Sequence, residues 1–142
     1  MDIKIYVQGT DSDRELFAQL GRLLTDETVH KQMGMAITSR PDDVWLLATD
    51  TDCGVVLGFL LARRLKSKPA FHIRFLYCTE KSVCSALLTQ FIAKACTDKA
   101  RSVHTNDRET NAIWREFGFK KRRNNRRGQF VRWEQEIKGG KK

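Results

Sequence analysis

The chain has 142 residues and a formal net charge of +9, with 41% hydrophobic and 30% charged side chains, a balance typical of globular proteins. This length predicts one domain with a sizeable core: residues 1–137 as the domain and residues 138–142 as a basic flexible tail. No apolar run approaches the roughly 20 residues of a membrane-spanning helix. The first residues have no basic segment followed by an apolar one, so a signal peptide is not expected and a cytoplasmic location is.

The cysteines and histidines lack the spacing of a metal site. The four cysteines are Cys53, Cys78, Cys84 and Cys96, and the three histidines are His30, His72 and His104. They contain no CxxC and no HxxxH pair. Free buried thiols are therefore expected rather than disulfides or zinc ligands, and no metal is expected.

Hydrophobic periodicity predicts alternating strands and helices in the first half of the chain. Ser12 and Glu15 have the spacing of a capping box at the start of a helix, and a shorter helix is expected over Asp26–Met35. Strands are predicted at Ile3–Val7, Val44–Thr49, Val55–Leu65 and Ala70–Cys78. Such an order favours an α/β domain with a mixed sheet.

The second half continues this alternation. A long amphipathic helix is predicted over Thr79–Thr97, with Thr79 as a candidate cap, and a short strand at Val103–Thr105. Asn106 then has the character of a helix cap. The helix after it places Ile113, Trp114 and Phe117 on one face, with Trp114 expected to be a core aromatic, and Gly118 is predicted to end it. Phe119 opens a strand, residues 120–127 form a basic loop, and Gln129–Glu136 returns as the last strand.

This last third resembles the GCN5-related N-acetyltransferase (GNAT) superfamily. In that superfamily an asparagine stands near a helix start, and an aromatic residue precedes a Gly-Phe pair by four positions, as Trp114 precedes Gly118-Phe119. The resemblance implies a single GNAT-like α/β domain with a mixed sheet flanked by helices. It also implies transfer of an acyl group from acetyl-CoA, or another acyl-CoA, to an amine.

The resemblance places the cofactor at the segment Leu76–Leu88. In the family, a glycine-rich turn and a helix N-terminus hold the pyrophosphate; here Ser82 and Cys84 stand at the glycine positions. The implied cofactor-binding residues are Leu76, Tyr77, Cys78, Lys81, Ser82, Val83, Cys84, Ser85, Asn106 and Asn111. Three interpretations follow: an altered but working CoA site, a site for a different anionic substrate, or a lost site.

Three residues are candidates for the general base. Glu80 lies at the predicted helix start, His72 on the preceding strand and His104 on the following one. Alternation along the strand predicts His72 and Arg74 on one face and Phe71, Ile73 and Phe75 on the other.

The charge of the chain is concentrated at its C-terminal end. Residues 1–100 have a net charge of +1, whereas residues 120–142 have +8. The candidate nucleic-acid-binding residues are Lys120, Lys121, Arg122, Arg123, Arg126 and Arg127. A cluster of this kind is typical of a contact with nucleic acid, although it is also compatible with a solvated hairpin.

The basic end also suggests two narrower resemblances. One is to the Mom-type phage DNA-modification enzymes, and the other is to the acetyltransferase-like internal virion proteins of podophages. They imply a DNA-modifying transferase of phage origin, located in the host cytoplasm or in the virion. The alternative to an enzyme is a non-catalytic nucleic-acid-binding or virion protein with the same fold. The sequence leaves the acceptor and the oligomeric state open, a homodimer included.

Overall fold

The computed structural model describes residues 1–7, 9, 18, 42–107, 113–124 and 131–137. The helices expected at residue 12 and over Asp26–Met35 lie outside the described residues, apart from Ala18. The described elements are β1 (Asp2–Val7), β2 (Val44–Thr49), β3 (Val56–Arg64), β4 (Ala70–Cys78), α1 (Lys81–Thr97), β5 (Ser102–Asp107), α2 (Ile113–Glu116), β6 (Lys120–Asn124) and β7 (Val131–Glu136). The predicted α/β class with a mixed sheet is confirmed.

The strands form one sheet of seven, in the order β1-β2-β3-β4-β5-β7-β6. All neighbours are antiparallel except β4 and β5, which run parallel. Parallel neighbours need a crossover connection, and α1 supplies it. The short β2–β3 connection is stabilised by Asp50, whose Oδ1 accepts the backbone N–H groups of Asp52 at 2.8 Å and Cys53 at 3.2 Å.

Apolar side chains cover both faces of the sheet. On the face packed against α1, here called the helix face, Phe71 and Ile73 of β4 join Leu87 and Phe91 of α1 in one buried cluster. A second cluster on the opposite face is formed by Tyr6, Trp45, Leu47, Phe59, Leu61 and Phe75. Strands β1 to β4 thus alternate between two cores, which hold this part of the sheet in place from both sides.

A bulge in β4 breaks that alternation. Leu61 of β3 is opposite Phe75, but the next residue, Ala62, is opposite Ile73, so Arg74 is an extra residue in its strand. The expectation that Phe75 shares a face with Phe71 and Ile73 is therefore wrong. The bulge moves Phe75 to the opposite face, where it packs in the second cluster.

Several predicted boundaries need correction. Helix α1 begins at Lys81, and its N-cap residue is Glu80 rather than Thr79. Asn106 is not a helix cap, because it lies inside β5 and is paired with Arg132 of β7. Residues Lys120–Asn124 form strand β6 rather than part of a loop. In both cases pairing with β7 extends the strand beyond its local pattern. Gly118, with φ of +95°, does terminate the helical segment as predicted.

The lengths and compositions of the helices bear on whether the chain could span a membrane. None of the helices among the described residues is long and apolar enough to cross a membrane.

Trp114 is a core residue, as expected. It is 2% exposed, its ring meets Phe119 edge to face at 5.1 Å between centroids, and its Nε1–H donates to Asp107 Oδ2 at 2.7 Å. This bond ties α2 to the end of β5. The indole is therefore both a packing element and a polar anchor.

Replacing Trp114 should destabilise the fold in two steps. Trp114→Ala should lower the free energy of unfolding by about 3–5 kcal/mol, because a large buried side chain is lost. Trp114→Phe should cost less, since it keeps most of the packing but loses the hydrogen bond to a carboxylate, worth about 1.5–3 kcal/mol. Urea unfolding of the three proteins measures both steps. A Trp114→Ala variant as stable as the native chain would contradict the core assignment.

Candidate functional site

Strands β4 and β5 run together for four residues and then part. Their pairing extends from Ala70 opposite Ser102 to Ile73 opposite Thr105. At the last pair, the buried Thr105 Oγ1 donates to the Ile73 carbonyl oxygen at 2.8 Å. Beyond it, β4 continues beside β3 and β5 beside β7. A wedge-shaped opening, here called the β4–β5 cleft, is the result.

The turn after β4 leads directly into α1 at the mouth of this cleft. Glu80 is the N-cap residue, but its side chain makes no capping hydrogen bond. Its carbonyl oxygen accepts Val83 N at 3.1 Å and Cys84 N at 3.2 Å. The first N–H groups of an α-helix have no acceptor within the helix, and the helix dipole is positive there. This end of α1 can therefore receive an anion.

Lys81, the first residue of α1, forms an ion pair with Glu116. Its Nζ lies 2.9 Å from Glu116 Oε1, and both side chains are exposed. An anion bound at the start of α1 would compete with Glu116 for this ammonium group. Because exposed ion pairs of this kind are weak, the contact would yield readily.

Gly58 allows β3 to pass close to this turn. A Cβ atom at position 58 would lie 2.6 Å from the Tyr77 carbonyl oxygen, 2.9 Å from Val83 Cγ1 and 3.1 Å from Cys78 Cα. Any side chain here would push β3 away from the β4–α1 junction. The sequence analysis missed Gly58, although an isolated glycine in an apolar strand is a signal of close backbone approach.

Cys78 and Cys84 are joined by a disulfide bond, so the expectation of free thiols is wrong for this pair. The two residues are six positions apart and lie at the end of β4 and in the first turn of α1. Their spacing is not CxxC, and only the reversal of the chain at Glu80 brings them together. Cys53 and Cys96 are free, and Cys53 is exposed rather than buried.

Two of the three candidate bases meet at the closed end of the cleft. His72 and His104 are paired across β4 and β5, with their Nδ1 atoms 3.1 Å apart. Since their neighbours Phe71 and Val103 pack on the helix face, alternation places both imidazoles on the opposite face. We call these two residues the histidine pair.

Burial keeps both imidazoles neutral. Loss of solvation, followed by the charges of His104 and Arg74, lowers the pKa of His72 to about 4. Loss of solvation, followed by the charge of Arg132, lowers the pKa of His104 to about 4. At neutral pH each ring therefore has one N–H and one lone pair.

A hydrogen bond between two neutral Nδ1 atoms determines what the outer nitrogens can do. The ring that donates its Nδ1–H has a lone pair on Nε2, and the ring that accepts has its proton on Nε2. One end of the histidine pair is thus a base and the other a donor. A proton taken up at one Nε2 can be matched by release from the other, which is the behaviour required of a proton relay.

Cationic side chains surround the pair. Arg63 Nε and Nη2 donate to the buried Asp43 carboxylate at 2.8 and 2.9 Å, and this bond raises the pKa of Arg63. The Arg74 guanidinium lies over the Phe75 ring at 5.3 Å. Arg132 approaches Glu134 Oε1 only to 3.8 Å. Arg63 and Arg132 were not among the residues predicted from the sequence, because only the pairing of distant strands brings them near the histidine pair.

The remaining predicted residues fall into separate places. Leu76, Tyr77, Cys78 and Ser85 are half-buried, Val83 and Cys84 are buried, and Glu80, Lys81, Ser82 and Asn106 are exposed. The residues from Leu76 to Ser85 surround the β4–α1 turn, whereas Asn106 lies on β5; Asn111 is outside the described residues. Lys120 and Lys121 are exposed on β6, which also contains Arg122 and Arg123. Arg126 and Arg127 lie outside the described residues.

No metal site emerges from the part of the chain that the structure describes. No group of three or more His, Cys, Asp or Glu side chains is positioned there to hold a metal ion.

Comparison with known proteins gives a likeness in structure only. No family model matches the sequence, and no curated protein matches it. Among solved structures, TofI in an apo form has a TM-score of 0.73 at 16% identity, over 96% of this chain and 91% of that one. An aminoglycoside 6'-N-acetyltransferase complexed with coenzyme A has a TM-score of 0.66 at 11% identity, over 100% of both chains.

A third similar structure is named for its family. It is an acetyltransferase of the GNAT family from Staphylococcus aureus Mu50, with a TM-score of 0.63 at 11% identity, over 96% of this chain and 99% of that one. Likeness at this level of identity concerns the fold. By this likeness, the chain has the fold of the GCN5-related N-acetyltransferases, the GNAT fold.

Proposed function

We propose that the chain is an acyl-CoA-dependent N-acyltransferase. The observation that carries this proposal is the β4–β5 cleft, which has an uncapped helix N-terminus at its mouth and a neutral histidine pair at its closed end. The first can bind the phosphates of a nucleotide cofactor, and the second can accept a proton from an amine. The coenzyme A bound to a similar structure supports the same choice of cofactor.

The residues around the β4–α1 turn fit an acyl-CoA. The backbone N–H groups at the start of α1 and the Ser82 hydroxyl would hold its pyrophosphate. Small side chains at Ser82 and Ser85 leave room for the approach, and the Cys78–Cys84 bond constrains the turn in place of a glycine sequence. When bound, the cofactor supplies an acyl group activated as a thioester.

The histidine pair would manage the proton of the acceptor. An attacking amine must lose a proton as its nitrogen becomes an amide. A neutral imidazole Nε2 can accept that proton, and the Nδ1 to Nδ1 contact at 3.1 Å can pass a proton to the second ring. Glu80, at the exposed N-cap of α1, lies on a different element and remains a second candidate base.

We further propose that the acceptor amine belongs to a nucleic acid or to a molecule bound to one. The net charge of +8 over residues 120–142 supports this choice, as do the exposed lysines Lys120 and Lys121 on β6. A DNA-modifying transferase of phage origin is the narrowest form of the proposal.

A specific observation also favours a second function, non-catalytic binding of nucleic acid. Ser82 and Cys84 stand at the two positions where the GNAT family has glycine, and Cys84 is locked to Cys78. A turn altered in this way is compatible with loss of the cofactor site. The two proposals differ in whether acyl-CoA binds.

Acetyl-CoA should stabilise the native protein against heat. At a hundredfold excess over its Kd, the gain is about 2.7 kcal/mol, visible as a raised Tm. Ser82→Glu should abolish the shift, because a carboxylate would then face the pyrophosphate. Ser67→Glu, the same change in an exposed turn, is the matched control and should keep it. If millimolar acetyl-CoA leaves the Tm of the native chain unchanged, the acyltransferase proposal is wrong and the binding protein is favoured.

The histidine pair should make the stability of the protein depend on pH. Both pKa values are about 4 in the folded chain, against 6.5 for a free imidazole, so the unfolded chain binds more protons between these values. The free energy of unfolding should therefore fall as the pH is lowered from 6.5 towards 4, with no further loss below that from these groups. A His72→Gln, His104→Gln double variant should lose this component in urea unfolding at several pH values. If the free energy of unfolding depends on pH equally in the native protein and in the double variant, the two imidazoles are not buried in their neutral form.

Nucleic-acid binding should depend on salt through the basic C-terminal segment. Replacing Arg122, Arg123, Arg126 and Arg127 with glutamine should flatten the log–log dependence of duplex DNA affinity on salt by roughly three to four units, at about 0.9 per phosphate contact. The control replaces four cations elsewhere, Arg64, Lys66, Lys68 and Arg101, and should leave most of the slope. DNA and RNA affinities across a salt series give the measurement. Absence of affinity at low salt would remove nucleic acid from the proposal.

A further inference from the structure

On the face of the sheet opposite the helix face, several cationic side chains lie near the histidine pair. The charges of Arg74, Arg132 and Arg63 all act on His72, and those of Arg132 and Lys68 act on His104. Arg63 is held in a bidentate bond by Asp43. Arg132 forms a longer ion pair, with its Nε 3.8 Å from Glu134 Oε1, which is beyond hydrogen-bond distance.

Two buried polar atoms on the same face of the sheet lack a hydrogen-bond partner among the described residues. Among the described residues, His104 Nε2 and Arg132 Nε are buried and make no hydrogen bond. His104 as a whole is only 7% exposed, so its free nitrogen is not satisfied by bulk solvent. Buried polar atoms are nearly always paired, and an unpaired one calls for an explanation. The Arg132 side chain, 29% exposed, connects this place with the surface.

Strand register brings these two residues together. His104 is paired with Glu134 and Asn106 with Arg132, so Arg132 is the diagonal neighbour of His104 on the same face. A guanidinium and an imidazole N–H side by side form a donor set for an oxyanion.

We propose that Arg132 and His104 form a subsite for an oxyanion, a phosphate or a carboxylate, carried by the acceptor molecule. As a statement about the acceptor, this inference rests on the acyl transfer proposed above. The acceptor is then an amine with an anionic group. The amine lies at the His72 end of the histidine pair and the anion at the His104 end.

Binding of the oxyanion would set the tautomers of both rings. To donate to the anion, His104 must have its proton on Nε2, which leaves a lone pair on its Nδ1. His72 must then donate its Nδ1–H across the 3.1 Å contact, which leaves the lone pair on His72 Nε2. The oxyanion thereby makes His72 the base. In this arrangement His72 is the catalytic residue, and His104 and Arg132 are positioning residues.

This arrangement also gives a rule for selecting acceptors. The ring centroids of the pair are 5.2 Å apart, so the amine and the anion must be several ångströms apart in the acceptor. A molecule with the amine alone would leave the tautomers unassigned and Arg132 Nε without a hydrogen bond. The subsite therefore couples recognition of the acceptor to formation of the base.

The test is a titration of the protein with an anion, in which NMR monitors the histidine ring nitrogens. The probes are inorganic phosphate and, separately, acetate, each at millimolar concentrations with ionic strength held constant by sodium chloride. His72→Gln and His104→Gln assign the signals. We expect His104 Nε2 to move towards the protonated form and His72 Nε2 towards the unprotonated form, saturably.

The variants decide whether the response comes from the proposed subsite. Arg132→Gln should weaken the response to the anion by at least about tenfold, since a charge-assisted contact is lost. Arg101→Gln, at an exposed position just before β5, is the matched control and should leave it unchanged. The proposal is overturned if neither anion changes the rings, or if Arg132→Gln responds like the native chain.

The same experiment separates this inference from the proposed function. A response to phosphate alone identifies a phosphorylated acceptor, a response to acetate alone a carboxylated one, and a response to both the shared subsite. Binding of acetyl-CoA is measured independently through the Tm. A ring response without acetyl-CoA binding would leave the anion subsite in place and refute the acyltransferase. Acetyl-CoA binding without a ring response would refute the anion subsite and leave the acyltransferase proposal in place.

Discussion

The parting of β4 from β5 after Ile73 and Thr105 is the constraint on which the rest of the site depends. Two neighbouring strands of one sheet normally satisfy each other's backbone groups along their whole length. Here the Thr105 hydroxyl closes the ladder at its last pair, and the strands then find other partners, β3 on one side and β7 on the other. The cleft can exist because these outer pairings, the bulge at Arg74 and two apolar cores hold the separated strands in position.

The junction of β4 with α1 shows how a turn can be held without glycine. Neither the turn at Thr79 and Glu80 nor the first turn of α1, which contains Ser82 and Cys84, has a glycine. The glycine that allows a close backbone approach is Gly58 on the neighbouring strand β3. A Cβ atom there would lie 2.6 Å from the Tyr77 carbonyl oxygen. The Cys78–Cys84 bond and the hydrogen bond from Thr79 N to Leu57 O at 3.0 Å hold the chain over that glycine. The uncapped start of α1 is thereby kept open to an anion.

The histidine pair and the arginines around it belong to one electrostatic system. Burial keeps both imidazoles neutral, and Arg74 and Arg132 act in the same direction. Neutral rings in contact can relay a proton, whereas two charged rings would repel each other. Asp43 forms a close ion pair with Arg63, whereas Arg132 Nε lies 3.8 Å from Glu134 Oε1 and makes no hydrogen bond with it. The buried donors His104 Nε2 and Arg132 Nε, which lack hydrogen bonds among the described residues, are the basis of the proposed anion subsite. The proposed coupling of the tautomers follows from the Nδ1 to Nδ1 contact.

Much of the fold was predictable from the sequence, because local patterns decide most of it. Alternating hydrophobic residues identified β1, β2, β3 and β4, the 3.6-residue period identified α1, and Gly118 ended the α2 segment as expected. His72 and His104 were also candidates from the start, but only as separate residues. What the tertiary structure decided was non-local: that β4 and β5 are parallel neighbours, so that residues 32 positions apart meet; that a bulge turns Phe75 to the other face; that Asn106 extends a strand instead of capping a helix; and that Cys78 reaches Cys84. Each of these depends on pairing energies between distant segments, which no window of the sequence contains.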